Sequence, residues 1–339
     1  MALKNSVIII AEAGVNHNGD LETAKRLVDA AVVAGADAVK FQTFVPEEVV
    51  SRSAERAPYQ KANMPGCRET QLDMIRRLAL SREDFRTLKA YCDRAGIMFL
   101  STPFDYYSVD LLDELGVPLF KVPSGELVND RFLRYIAARG KPLIISTGMA
   151  TLGEVEEALA AVQDAGAREI VLLHCTSNYP APYEEVNLRA MVTLRQAFGL
   201  SVGYSDHTPG TEVAVAAVAL GARVIEKHFT LSRRMEGPDH KASLEPDELA
   251  TLVRAIRNVE RALGDGRKRP SPGEHDIMKV ARCSLVAACY IAKGKMITEE
   301  KLALKRPGTG IPPKMWNLVI GRRARVNIPA DTVLTWDMI

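Results

Sequence analysis

Two histidines occupy matching positions in this chain. His207 falls near the end of the apolar run 202–208 and His228 near the end of the run 223–229. Neighbouring parallel strands lie roughly 5 Å apart, so imidazoles at equivalent strand ends can meet on one ion. Two His without Cys suit Mn²⁺, Zn²⁺ or Mg²⁺, with water and substrate oxygens filling the open sites. Two neutral histidines hydrogen-bonded inside a polar pocket fit the same spacing. Alternation along 223–229 puts Val224, Glu226 and His228 on one side, away from Lys227. Lys40 and Lys121, with Ser and Thr hydroxyls near them, form a site for a small polyanion such as a phosphate plus a carboxylate. They also read as lysines neutralising Glu12, Glu126 and Glu226, and one of them would serve a Schiff-base aldolase. The convergent hydroxyls favour anion binding. After the last run, Asp239 of Gly237-Pro238-Asp239-His240 can hydrogen-bond a polyol and His240 can be a third metal ligand, although a plain Pro-Asp turn reads the same way.

The elements that must position these groups repeat one unit. Eight β-rich runs (7–14, 38–44, 97–103, 119–125, 143–148, 170–177, 202–208 and 223–229) alternate with amphipathic stretches such as 21–34, 82–95, 152–165 and 246–263. Strand–helix alternation calls for a parallel sheet. Eight units in about 260 residues fit a closed (β/α)₈ TIM barrel; no GxGxxG follows the first run to support an open dinucleotide-binding sheet. In such a barrel the working groups sit at the strand C-termini. All eight runs end in polar residues: Glu12 with Asn16, His17 and Asn18; Lys40 and Gln42; Ser101 and Thr102; Lys121, Ser124 and Glu126; Ser146 and Thr147; His174, Thr176 and Ser177; Ser205, Asp206 and His207; Glu226, Lys227 and His228. Ser81–Asp84 and Thr151–Glu154 read as capping boxes. Residues 46–80 are an insertion between the second run and the helix before the third, read as a lid, an oligomer contact or a plain loop.

Composition sets the outer limits. The 339 residues are 47% hydrophobic and 25% charged, ordinary for a folded chain. The net charge of +2 conceals a split: residues 266–339 hold 14 Lys+Arg against 6 Asp+Glu, leaving 30 against 36 in residues 1–265. The basic charges of the tail are spread through apolar segments, which argues against nucleic acid. No apolar run approaches the roughly 20 residues that cross a bilayer, and the run 7–10 meets Glu12 too early for a signal-peptide core. Five cysteines (Cys67, Cys92, Cys175, Cys283 and Cys289) without a CxxC pair point to free thiols and the cytoplasm.

The domain boundaries follow: a barrel over 1–265, a Gly/Pro/basic linker over 266–279 and a small domain over 280–339. That last segment repeats itself, since 291–302 (IAKGKMITEEKL) returns as 328–339 (IPADTVLTWDMI). Each copy reads as a turn, a short strand, then Thr capping one helical turn.

The motifs together resemble the sialic acid synthases of the N-acetylneuraminate synthase type. They are 11–19 (AEAGVNHNG), 39–43 (VKFQT), 101–105 (STPFD), 121–126 (KVPSGE), 146–149 (STGM), 174–180 (HCTSNYP), 204–208 (YSDHT), 226–229 (EKHF), 237–240 (GPDH) and 305–308 (KRPG). The likeness runs from end to end, and the small domain looks like the antifreeze-like (SAF) domain of that family. The first motif is closer to the neuraminate and legionaminate branch than to the pseudaminate branch.

The resemblance implies a transferase that condenses phosphoenolpyruvate with N-acetylmannosamine or a close analogue, giving a nine-carbon 2-keto sugar acid and phosphate. It implies Mn²⁺ or Mg²⁺ on His207 and His228, polarising the sugar aldehyde. Phosphoenolpyruvate would be held by Lys40, Thr102, Lys121, Ser124, Ser146 and Ser177, and the sugar by Gln42, Glu126, Tyr179, Asp239 and Arg306. Glu12 would activate the water that attacks C2, and Glu226 would sit near the reacting carbons, with Lys121 beside them. A domain-swapped homodimer would carry Arg306 to the partner's barrel. Ser177 departs from the pattern, because some members carry Asn there; Asn178 is next to it. A Schiff-base aldolase working with pyruvate, or a carbohydrate- or ice-binding protein using the small domain, are the competing readings.

Overall fold

The computed structural model describes residues 6–64 and 69–339, with the side chains of Tyr59 and Ala62 set aside. Cys67 lies outside the described residues; Cys92, Cys175, Cys283 and Cys289 are free thiols. The chain forms two compact units, residues 1–264 and 265–339.

The first unit is an eight-stranded parallel barrel. Its strands are β1 (Ile8–Gly14), β2 (Ala38–Thr43), β3 (Met98–Pro103), β4 (Phe120–Val122), β5 (Leu143–Ser146), β6 (Ile170–Cys175), β7 (Ser201–Asp206) and β8 (Val224–His228). They pair in the order β3-β2-β1-β8-β7-β6-β5-β4, and β3 and β4, at the two ends, pack against each other. The helices in chain order are α1 (Leu21–Ala34), α2 (Pro46–Val49), α3 (Pro58–Asn63), α4 (Gln71–Leu78), α5 (Arg82–Ala95), α6 (Tyr106–Glu114), α7 (Asp130–Ala137), α8 (Leu152–Asp164), α9 (Arg189–Phe198), α10 (Glu212–Ala219) and α11 (Pro246–Leu263). The expected capping boxes are present: Ser81 and Asp84 cap α5 reciprocally, as Thr151 and Glu154 cap α8. Among the described residues of the insertion 46–80 lie the three helices α2, α3 and α4.

Period-two alternation builds two cores from the same strands. Ile9, Val39, Phe99, Phe120, Ile145, Leu172, Val202 and Ile225 face outward and bury against the helices. Ile8, Ile10, Ala38, Leu100, Leu119, Ile144, Val171, Leu173 and Val224 face inward and plug the lumen. Two residues further along each inward row the chemistry changes: Ile10 leads to Glu12, Ala38 to Lys40, Leu119 to Lys121 and Val224 to Glu226. The apolar plug is therefore the floor on which the ionisable layer stands.

The second unit begins with less linker than its composition suggests. Residues 274–281 form helix α12 (Glu274–Ala281). The Pro, Gly and basic residues stop at 273, and the following EHDIMKVA has helix formers with acids in its first turn. The unit continues with the antiparallel strands β9 (Ser284–Ala287) and β10 (Leu302–Lys305). The internal repeat is visible as a reciprocal pair: Ile291 and Ile328, equivalent residues of the two copies, exchange both backbone hydrogen bonds at 2.9 Å. Ile297 with Leu334, and Leu302 with Ile339, are likewise equivalent and share one core. Each copy ends in a 3₁₀ turn, Glu299–Lys301 and Trp336–Met338, and neither Thr298 nor Thr335 caps it through its side chain. A single tight turn leaves too few free amide groups in reach for the α-helical cap expected of those threonines.

Candidate active site

At the C-terminal end of the barrel strands the inward side chains line a cavity of about 350 Å³. The sequence candidates Glu12, Lys40, Gln42, Thr102, Lys121, Ser124, Ser146, Ser177, Tyr179, His207, Glu226, His228 and Asp239 all line it. At its floor two lysines and two carboxylates interlock. Lys40 Nζ lies 2.5 Å from Glu12 Oε2 and 3.7 Å from Glu226 Oε2, and Lys121 Nζ lies 3.5 Å from Glu226 Oε1. Lys40 also donates to Thr102 Oγ1 at 2.7 Å, Ser205 Oγ to Glu226 Oε1 at 2.8 Å and Gln42 Nε2 to Glu12 Oε1 at 3.4 Å. All four charged groups are buried.

Burial and pairing drive the two carboxylates apart. Burial pushes Glu12 up to about 7 against the pull of Lys40. Burial would raise Glu226 too, but Lys121 and Lys40 together hold it well below the usual carboxylate range. One carboxylate is thus able to gain and lose a proton near neutrality while the other stays ionised, a division suited to general base and fixed charge.

The two histidines meet as their strand positions require. Their ring centroids are 5.6 Å apart, and the Tyr179 ring lies 4.1 Å from His207 and edge-on 5.7 Å from His228. His207 Nδ1 is 2.7 Å from the Thr176 carbonyl. A carbonyl only accepts, so this nitrogen carries the proton and Nε2 keeps its lone pair. Buried His228 Nδ1 has no hydrogen-bond partner among the described residues. Burial lowers the pKa of both rings, and His207 itself lowers that of His228 further. Two neutral imidazoles with unspent lone pairs are the donor set a divalent ion needs.

Two glycines let the backbone come this close. Gly14 has φ +51°, and a Cβ there would stand 3.3 Å from both Glu12 Oε1 and Gln42 Nε2. A Cβ on Gly148 would stand 2.3 Å from Ser177 Oγ, 2.8 Å from Ser124 Oγ and 2.9 Å from Cys175 Sγ. Gly148 N also donates to Ser124 Oγ at 3.0 Å. Hydroxyls and a thiol thereby ring one small cradle beside Lys121. Ser177 faces this cradle, whereas the exposed Asn178 is 3.5 Å from Glu185 and lies outside the cavity lining.

Several sequence candidates lie elsewhere. Glu126 falls in the 3₁₀ turn Ser124–Glu126 beyond the lining and accepts from Asn129 at 2.7 Å. Arg306 is an exposed residue of the second unit, following β10. His240 is fully buried outside the cavity, with Nδ1 2.6 Å from Thr230 Oγ1, and among the described residues no group of three or more metal-type ligands forms. Asn16 and Asn18 brace the loop that carries Asp239: Asn16 donates to Phe229 O and Ser243 Oγ, Ser243 to Asp239 O and Asn18 to Glu236 O, all within 3.0 Å. Asp206 and Lys227 face away from the lumen and form a buried ion pair at 2.7 Å. Strand-end polarity therefore mixed chemistry with architecture.

The cavity also contains residues that the sequence reading gave no binding role. Ser205 was among the polar strand ends, and alternation places it on the same face as His207. The apolar wall from 46–80 had a weaker signal, the spacing 71, 74, 75 and 78, with nothing to say what that face met.

The chain is similar to known proteins along nearly its whole length. The NeuB family pattern covers residues 27–268 and the SAF domain pattern residues 282–339. The chain belongs to the NeuB family. It is 50% identical to the N,N'-diacetyllegionaminic acid synthase of Campylobacter jejuni over 96% of this chain and 98% of that one. It is 39% identical to the human N-acetylneuraminate-9-phosphate synthase over 98% and 92% of the two chains. Among solved structures, an N-acetylneuraminic acid (sialic acid) synthetase from Leptospira borgpetersenii, crystallised with citrate, superposes with a TM-score of 0.72 at 35% identity over 80% of this chain and 90% of that one. The chain is accordingly an enzyme, a transferase of the sialic and legionaminic acid synthase type, built as a TIM barrel with a SAF domain. Among its described residues no helix is long and apolar enough to cross a membrane.

Proposed function

We propose that this NeuB-family enzyme joins phosphoenolpyruvate to the open-chain aldehyde of an N-acylated mannosamine-type sugar, releasing phosphate and a nine-carbon 2-keto sugar acid of the neuraminate or legionaminate kind. The observation that carries this reading is the interlocked Lys40–Glu12–Glu226–Lys121 cluster beside His207 and His228 in one cavity. Lys40, Lys121, Thr102 and the hydroxyls of Ser124, Ser146, Ser177 and Ser205 suit the phosphate and carboxylate of phosphoenolpyruvate. Gln42, Tyr179 and Asp239, which line the same cavity, would contact the sugar. Burial pushes Asp239 up to about 6, so it can accept or donate a hydrogen bond near neutrality.

C3 of the enolpyruvyl group attacks the aldehyde carbon, and the ionised Glu226 stabilises the positive character left at C2. Glu12 takes a proton from the water that adds to C2. Phosphate then leaves by C–O cleavage. Neutral His207 and His228 would hold the divalent ion, Mn²⁺ or Mg²⁺, which when bound supplies Lewis-acid polarisation of the aldehyde. In this reading the enzyme works in the cytoplasm as a homodimer, with Arg306 of one chain serving the sugar bound by the other.

The direct test is release of inorganic phosphate from phosphoenolpyruvate plus N-acetylmannosamine-type sugars in the presence of Mn²⁺. A lysine adduct trapped by borohydride with pyruvate would overturn the reading in favour of a Schiff-base aldolase.

A further inference from the structure

The two histidines stand where the pairing of β7 with β8 runs out. In register, Tyr204 matches Ile225, Ser205 matches Glu226 and Asp206 matches Lys227, and β7 ends at Asp206. His228 is still held by a neighbouring strand, because it pairs with Glu12 of β1. His207 is one residue past the end of β7, and among the described residues no strand pairing fixes it to β8. Side chains take over at this point. Lys227 Nζ donates to Asp206 Oδ2 at 2.7 Å and to the Thr208 carbonyl. Asp206 Oδ1 accepts from Thr208 N at 2.9 Å and from Thr208 Oγ1 at 2.7 Å. The N–H, the hydroxyl and the carbonyl of the residue after His207 are thus all gripped by one ion pair. Half of that pair is the residue before His207, and the other half is the residue before His228. Asp206, Lys227 and Thr208 are all buried.

We infer that Asp206, Lys227 and Thr208 form a positioning clamp for the metal-binding pair, tying the backbone around His207 to the strand that carries His228 and so fixing the separation of the two imidazoles. This rests on the proposal above that His207 and His228 hold the divalent ion. A buried ion pair is a poor device for stability alone, because two apolar side chains of similar volume hold a fold as well or better. What apolar side chains cannot do is grip a backbone N–H, a hydroxyl and a carbonyl beyond the last strand pair. The clamp faces away from the cavity, so it acts through the backbone and touches neither substrate nor ion. Its task differs from that of the Thr176 carbonyl, which sets the tautomer of His207 at Nδ1; the clamp sets where the residue itself stands. Spacing matters here because among the described residues no third ligand of the His, Cys, Asp or Glu type groups with the two rings. A third protein ligand could compensate for a shift of one ring; two alone cannot.

The test measures Mn²⁺ affinity of the full-length protein by electron paramagnetic resonance, beside thermal unfolding, in the wild type and in variants. His207→Ala checks the underlying reading: Mn²⁺ binding that does not depend on His207 overturns the metal site, and the clamp with it. Asp206→Asn combined with Lys227→Met dissolves the pair without leaving an unpaired buried charge. It should raise the Mn²⁺ Kd by about tenfold or more, the usual cost of losing groups that orient metal ligands. Thr208→Val removes one hydroxyl and keeps the ion pair, and should raise the Kd by about threefold. Arg257→Met is the control, because it breaks the pairs with Asp37 and Glu260 at the opposite end of the barrel. It should lower the unfolding temperature with the Mn²⁺ Kd unchanged. A wild-type Kd in Thr208→Val and in the folded double variant, with only the unfolding temperature reduced, overturns the clamp and leaves the metal site standing. If the double variant does not fold, Thr208→Val decides alone. An equal loss of affinity in Arg257→Met also overturns the clamp, since general loosening would then account for the effect.

Discussion

His207 donates through Nδ1 to the Thr176 carbonyl at 2.7 Å, so its Nε2 lone pair is fixed in place before any ligand arrives. The partner is a backbone group on the neighbouring loop, which holds the tautomer without adding charge. This is the arrangement that raises the quality of a metal-ligating imidazole.

His207→Ala should therefore remove metal binding and leave the barrel folded, because the ring contributes to the cavity and not to either apolar core. Mn²⁺ affinity followed by electron paramagnetic resonance should fall by about 100-fold or more, with an unchanged circular dichroism spectrum. Undiminished affinity and activity would remove the histidine pair from the metal site.

Glu12→Gln should lower kcat by roughly 10²–10⁴-fold, the usual worth of a general base, with a small effect on the KM for phosphoenolpyruvate. In the wild type the active form of Glu12 is the carboxylate. Its pKa is raised to about 7, so activity should rise with pH through that region and fall away below it. The glutamine variant should lose this limb; a pH–rate profile that keeps it assigns the limb to another group.

Gly148→Ala adds a methyl within 2.9 Å of Ser124, Cys175 and Ser177 at once. The three side chains must move outward, and the anion cradle widens. A KM for phosphoenolpyruvate raised by about tenfold or more is expected from a displacement of that size, with sugar KM little changed. Wild-type kinetics would show that the cradle does not touch phosphoenolpyruvate.

His17 offers a prediction about stability. Burial pushes its pKa down to about 4, below the ordinary imidazole value of 6.5. The unfolded chain therefore takes up a proton first, and the stability present above pH 6.5 is lost as the pH falls toward 4. The loss is about 1.4 kcal/mol per pH unit over that window, or about 2 kcal/mol by pH 5. Urea midpoints at pH 7.5 and pH 5 should differ accordingly in the wild type and differ less in His17→Asn. An equal pH dependence in both would place the titrating group elsewhere.

Arg306→Ala tests the role of the second unit. If Arg306 meets the sugar, its loss should raise the sugar KM by about tenfold, as for a charge-assisted hydrogen bond, and leave the KM for phosphoenolpyruvate within about threefold. Equal changes in both would count against the contact.

The alternation of apolar and ionisable residues along eight short runs was enough to place Glu12, Lys40, Lys121, His207, Glu226 and His228 on one surface, because a strand offers only two faces and the barrel gives each a fixed partner. The same periodicity marked α1, α5 and α11 to the residue, where caps, Pro and Gly punctuate the pattern. Composition misled at the domain junction, where EHDIMKVA folds as α12 behind a breaker-rich stretch.

What the sequence determined by itself was thus the barrel, its repeat-built second unit and the ionic end of the cavity, all set by local periods that the backbone enforces. Only the tertiary structure decided which polar strand ends line the cavity and which brace the scaffold around it. Asn16, Asp206, Lys227 and His240 found partners distant in sequence, and such pairings depend on how loops cross. It alone also brought helix α4 to the cavity. The reach of that insertion depends on where its two ends are anchored and what its apolar face finds to cover, and neither is encoded in any local period.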